Sequence, residues 1–331
     1  MNNYLAIQTD LFQEIKTKSD QKLVDILMDT LHISLDSAYR RIRLEKILTL
    51  DEIIKISNTF NISIDRLISH DKSDSVLFSF PFKSSQFDLE EYFEKILEHL
   101  ERISSKNGIM YYSAKDIPIF HFFQDKKLLA FKFHYWLNIM NHDNDIIKKE
   151  FNFDIIPAKL ANLTKRIYKV YTEITTHEIW NNETLTRTSS QITYYYEMGI
   201  ISKLQANELQ LRLIDFIKHI EKESSLGRKY FLGNKPLSTE DNYILYYNEI
   251  MAADNSIYTE YDGVKESFLP HIVLNYMTTD NRKYCEYNKT VFDTVINKST
   301  LISKVNEKDR RKFFNFNEEF IKKQMAKLEF I

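Results

Sequence analysis

The chain has 331 residues, enough for about two domains that each bury a core of their own. Its hydrophobic share of 43% and charged share of 28% are ordinary for a globular protein, and a net charge of −2 excludes a broadly basic surface, so any nucleic-acid contact must come from a local patch. Five glycines and five prolines favour long helices, and the lone Cys285 excludes an intramolecular disulfide and a cysteine-rich zinc site.

The opening MNNYLAIQTD has no basic segment followed by an apolar one, and no stretch approaches the roughly 18 apolar residues of a membrane span. A cytoplasmic protein with no membrane partner is expected. Leu23, Val24, Leu27 and Leu31 recur on one face and predict an amphipathic helix over 20–31. A short turn at His32-Ile33-Ser34 follows, with Ser34 suited to cap the next helix, Leu35 to Arg43. Ala38 and Ile42, four residues apart, are expected to face inward, the small Ala38 allowing two helices to cross closely. Thr49-Leu50-Asp51-Glu52 is a capping box that opens a helix carrying Ile53, Ile54, Ser57 and Phe60. Asn61-Ile62-Ser63 then offers a turn and cap before a last short helix, Ile64 to Ile68.

This run of residues resembles the lambda-repressor/Cro-like (XRE-type) helix-turn-helix regulators. Leu27, Leu31 and Ile33 match that family's apolar positions around the turn, and Ala38 matches its buried small position. Two residues depart from the pattern: His32 replaces the usual turn glycine, and Arg41 stands where an apolar residue is common, with Ile42 expected to take that role. The resemblance covers residues 1–70 and implies a five-helix DNA-binding domain whose third helix lies in the major groove of double-stranded DNA.

Charge placement points the same way. Residues 1–70 hold nine Lys/Arg and ten Asp/Glu, yet Arg40, Arg41, Arg43 and Lys46 against Glu45 leave a local excess of +3 around the third helix. Guanidinium forks can take guanine edges and the same charges neutralise phosphates. Ser37, Tyr39, Arg40, Arg41, Arg43 and Lys46 are therefore the candidate DNA contacts, with Lys46, past the helix end, suited to a phosphate. The plainer reading of such a patch is a solvated basic face that meets a protein.

The polar stretch 71–75 is expected to be a linker to a larger domain, 76–331. Leu89, Phe93, Ile96, Leu97, Leu100 and Ile103 have helical spacing before Gly108, and Ile109 to Tyr112 suits a short strand. Pro118 and Pro157 each suit the first turn of a helix, the second running through Ile174. Further helices are expected from Thr184 to Met198 and from Leu204 to Glu223, then a strand within Tyr243 to Ile250. Ile257 to Tyr261 and Val264 to Leu269 flank Asp262-Gly263, a strong hairpin signal near 257–269. The last 50 or so residues return to helix, with Phe313, Phe320, Met325 and Leu328 inward. The expected class is mainly α with a small β component, an α+β fold.

Catalytic signatures are absent from this text. Gly227 and Gly233 are separated by five residues and Asn234 precedes Lys235, so no phosphate loop forms; no two glycines lie two apart. No H-E-x-x-H pair occurs, His121 and His134 among aromatics read as core histidines with satisfied nitrogens, and Glu286 beside Cys285 disfavours a thiolate. No catalytic residue, metal or cofactor is expected. Trp180, Gln191, Tyr194, Tyr195 and Tyr196 gather large amphipathic side chains that suit the wall of a ligand pocket, or simply the two faces of a packed helix. Together these readings predict a one-component, sequence-specific transcriptional regulator, a homodimer whose larger domain dimerises and takes a small-molecule or protein effector. The alternatives are a nucleic-acid-targeted enzyme with an unrecognised catalytic domain, and a protein-protein interaction scaffold.

Overall fold

Leu11, Phe12 and Ile15, four residues apart at their limits, bury one side of α1 (Asn3–Lys18), a helix to which the sequence reading gives no bounds. The computed structural model describes residues 3–64, 67, 76–80, 88–140, 151–236, 240–250, 254–271 and 273–330. Within it the chain forms two units, Met1–Leu77 and Phe78–Ile331. The expected linker at 71–75 and most of the expected helix from Ile64 to Ile68 lie outside the described residues.

In the first unit α1 is followed by α2 (Leu23–Leu31), α3 (Leu35–Ile42) and α4 (Leu50–Phe60). Their inward residues form one apolar core that includes Leu11, Ile26, Leu27, Ala38, Leu48 and Ile56. The Lys18 ammonium closes the bundle by donating to the carbonyls of Phe60 at 3.1 Å and Asn61 at 2.8 Å. Those are carbonyls at the end of α4 that have no partner within the helix, and a cation there also suits the helix dipole.

The second unit is built on a seven-stranded mixed sheet in the order β6-β5-β4-β1-β2-β3-β7. The strands are β1 (Ile109–Ala114), β2 (Thr175–Trp180), β3 (Tyr243–Tyr247), β4 (Ile257–Tyr261), β5 (Val264–Pro270), β6 (Tyr276–Thr279) and β7 (Thr300–Leu301). β1, β2 and β3 run parallel, and every other pairing is antiparallel. Parallel neighbours need long crossovers, which α6 (Ile119–Phe122), α7 (Lys126–Met140) and α8 (Ala158–Tyr171) supply before β2, and α9 (Asn182–Glu197) and α10 (Lys203–Leu226) before β3. Helix α5 (Leu89–Ser105) packs on α8, and the C-terminal α12 (Glu307–Phe330) packs on α9 and α10.

Strand alternation divides the core. Met110, Tyr112, Ala114, Trp180 and Leu245 face the large helical layer, whereas Tyr111, Ile179 and Tyr258 face α11 (Arg282–Asn297) with Cys285 and Phe292. The helix expected from Pro118 is two helices: Asp125 accepts the amides of Lys127 and Leu128, each at 2.9 Å, and starts α7 afresh. The helix expected through Ile174 stops at Tyr171, because the next residues enter β2, a strand the sequence reading misses. Among the described residues no helix is long and apolar enough to cross a membrane.

Candidate nucleic-acid interface

The turn between α2 and α3 depends on His32, which takes the left-handed conformation (φ 52°, ψ 49°) usually left to glycine and donates its N–H to Met28 O. Histidine tolerates that region better than β-branched residues do, so His32 can hold the turn. Ser34 Oγ then accepts the Ser37 amide at 3.4 Å and starts α3. At α4 the capping box is reciprocal: Thr49 Oγ1 accepts from the Glu52 amide at 3.3 Å, and Glu52 Oε2 accepts from the Thr49 amide at 3.0 Å.

Helix α3 sorts its side chains by phase. Ala38 is fully buried and Ile42 packs partly against the core, as their spacing predicts. Tyr39, Arg40, Arg43 and Lys46 are exposed, and Ser37 is half-buried at the helix start. The Arg43 guanidinium lies over the Tyr39 ring, 5.6 Å from its centre. Arg41 corrects the expected set of DNA contacts. It is 3% exposed, three residues from Ala38 on the same inward face. Its Nε donates to Glu52 Oε2 at 3.2 Å, its Nη1 to Ser37 O at 3.0 Å, and its Nη2 pairs with Glu52 Oε1. Burial pushes the Glu52 carboxyl up, but the Arg41 guanidinium and the Thr49 amide outweigh it and hold Glu52 below the usual range. Arg41 thus joins α3 to α4, and the outward basic set is Arg40, Arg43 and Lys46.

Beyond α3 the chain turns at Leu44 (φ 61°), and the amides of Glu45 and Lys46 both donate to Arg40 O, at 2.9 and 3.1 Å. A buried glutamine from α1 holds this loop. Gln8 Nε2 donates to Arg41 O at 2.8 Å and Lys46 O at 3.1 Å, while Gln8 Oε1 accepts from the Leu48 amide at 2.9 Å. The backbone that carries Lys46 is therefore fixed from beneath. Sequence reading misses Gln8; its position one helical turn before the buried Leu11 and Phe12 is the only signal.

No family model, curated protein or solved structure matches this chain.

In the second unit the five candidate pocket residues go separate ways. Trp180 has no exposed surface, and its Nε1 donates to Glu178 at 2.9 Å. Gln191 accepts from the buried Lys132 ammonium at 3.0 Å. Tyr194 is 56% exposed, Tyr195 is buried against Phe131 and His134, and Tyr196 packs partly on the core. They are the two faces of a packed helix and its neighbour, so the ligand-wall expectation is corrected. What sequence reading misses lies beside Trp180. Glu178 is fully buried on β2 and accepts from His121 Nε2 at 3.0 Å, from Trp180, from the Tyr171 hydroxyl and from Tyr243 OH at 3.4 Å. Burial raises its carboxyl, but the His121 charge and hydrogen bond, the Tyr171 hydroxyl and the nearby Lys229 charge outweigh that and hold it below the usual range. Lys229 donates to Ile174 O at 2.7 Å and Thr176 Oγ1 at 2.8 Å and sits 4.2 Å from the Tyr171 ring centre; burial drives its ammonium down to about 7 against the pull of Glu178 and Glu223. Among the described residues no group of three side chains is arranged to hold a metal. Cys285 is buried and its thiol is pushed up by burial, the opposite of an activated nucleophile.

Proposed function

We propose that this protein is a cytoplasmic, sequence-specific regulator of transcription of the lambda-repressor/Cro-like kind. In this reading α3 enters the major groove of double-stranded DNA, Arg40 and Arg43 read base edges, and Lys46 meets a phosphate. The observation that carries it is the sorting on α3: Arg41 is consumed inside the unit by Glu52, while Tyr39, Arg40, Arg43 and Lys46 stand outward together on a helix capped at its start and braced at its end. A solvated face that served only solubility would not need its following loop pinned by a buried glutamine. One such unit covers a single half-site, so the operator is two-fold and the protein binds as a homodimer. The second unit supplies dimerisation and the input of an effector.

A mobility-shift titration of the protein's own promoter region tests the reading. A shift that weakens steeply with salt and survives excess scrambled duplex supports it. Equal affinity for every duplex, or none, contradicts it and leaves the basic face to a protein partner.

A further inference from the structure

The outward side of α3 is not uniformly basic. Tyr39, Arg40 and Arg43 lie three, four and seven residues after Asp36, so the 100° helical step gathers all four on one side, and each is exposed. Ala38, two residues on from Asp36, is buried on the opposite side. Asp36 therefore brings a carboxylate to a side of α3 whose other charges, Arg40 and Arg43, are positive. In the first turn of the helix that carboxylate suits the positive end of the dipole. Against DNA it meets a harder test, because an ionised carboxylate can only accept hydrogen bonds. Phosphate oxygens, guanine N7 and O6, adenine N7 and thymine O4 are acceptors too. Two donors remain on the major-groove edges, the amino groups of cytosine N4 and adenine N6. Adenine N6 stands beside the acceptor N7, which would face the second carboxylate oxygen, whereas cytosine N4 has only a C–H beside it. A carboxylate is thus matched to cytosine and a side-chain amide to adenine.

We propose that Asp36 selects cytosine at one base pair of each operator half-site by accepting a hydrogen bond from the N4 amino group, which rests on the reading that α3 enters the major groove. Asp36 and Arg40 are separated by about 6 Å along the helix axis, against a rise of about 3.4 Å per base pair. The cytosine therefore lies at a different base pair from the one that Arg40 reads. Asp36 adds what positive charge alone cannot. Arg40, Arg43 and Lys46 attract the phosphates of every duplex, and Asp36 disfavours each duplex that lacks an amino group in that place.

Binding-site selection by the full chain from a pool of randomised duplexes tests this, with Asp36→Asn and Asp36→Ala selected beside the wild type. The wild type should enrich cytosine at one position of each half-site, and titrations should show about a 5- to 150-fold preference for it over another base there. Asp36→Asn should move the preference at that position alone from cytosine to adenine. Asp36→Ala should abolish it and bind scrambled duplex at least as tightly as the wild type does. N4-methylcytosine at that position puts a methyl group where the donor hydrogen stood. It should weaken the wild type by a similar factor and leave Asp36→Ala unaffected. A role confined to the helix dipole would instead lower both variants' affinity for every duplex by one factor, in step with their thermal stability, and overturns the contact. Specific binding in which both variants keep the wild-type preference, or change it at a base other than cytosine, overturns it as well. A wild type that enriches no sequence removes the proposed function itself, and this contact with it.

Discussion

Two carboxylates set the chemistry of single residues here, and both make testable demands. Glu52 bonds its own helix start and the Arg41 guanidinium at once. Because its folded carboxyl titrates below the ordinary glutamate value, its contribution to stability is full above about pH 4.3 and declines as pH falls through the depressed value. Glu52→Gln should cost the first unit on the order of 3 kcal/mol at pH 7, since it leaves a buried guanidinium without its counter-charge. Thermal melts of variant and wild type between pH 7 and pH 3 should converge toward acid; a constant difference would show that the pair's charge is irrelevant. At Glu178 the corresponding change is Trp180→Phe, which removes one donor from a fully buried carboxylate and opens a small void. Urea unfolding should report a loss of about 1–3 kcal/mol. A variant as stable as wild type would return Trp180 to the ligand-facing residues.

At the scale of elements, Gly108 illustrates what a sequence conveys and what it withholds. It is legible as a stop after α5, but the left-handed residue is Asn107 (φ 50°), and Gly108 is needed for close packing. A Cβ there would stand 2.7 Å from both Ile103 Cγ2 and Tyr261 Cβ. Gly108→Ala should therefore destabilise the second unit by about 1–3 kcal/mol, whereas Asn107→Gly should be nearly neutral; equal effects in calorimetry would contradict this division. Elements with strong periodic or local chemical signals are legible from the residues alone, among them the Thr49–Glu52 capping box, the hairpin around Asp262-Gly263 and α5. β2 is not, because a buried parallel strand lacks apolar alternation: Thr176 and Glu178 occupy its inward side, and only tertiary partners make them tolerable. The same limit hides Arg41. Its charge suggests solvent, and its burial is decided by Glu52, eleven residues on. Ala38 and the outward side of α3 need no such partner and follow from the 100° step alone.

At the scale of the whole molecule, the proposed regulator couples a small reading unit to a larger one with its own sheet and core. Because binding to a lone half-site is weak, the chain should be a dimer in solution at concentrations where it binds DNA, with two chains per operator. Sedimentation of the full chain alone and with duplex checks this, and a monomer that binds with one chain per duplex would contradict a two-fold operator. In the proposed regulator α3 gives neighbouring residues different tasks, which DNA titrations at several salt concentrations with specific and scrambled duplexes separate. Arg40→Ala should cost about 1–3 kcal/mol per half-site on the specific duplex alone and relax preference at one base pair. Lys46→Ala should weaken both duplexes alike and lower the salt slope by about one for each phosphate that Lys46 neutralises. Arg41→Ala should act differently from either, by unfolding the first unit rather than by changing base preference. If Arg40→Ala and Lys46→Ala both stay folded and leave DNA affinity unchanged, the outward face of α3 does not read DNA and the proposed function fails.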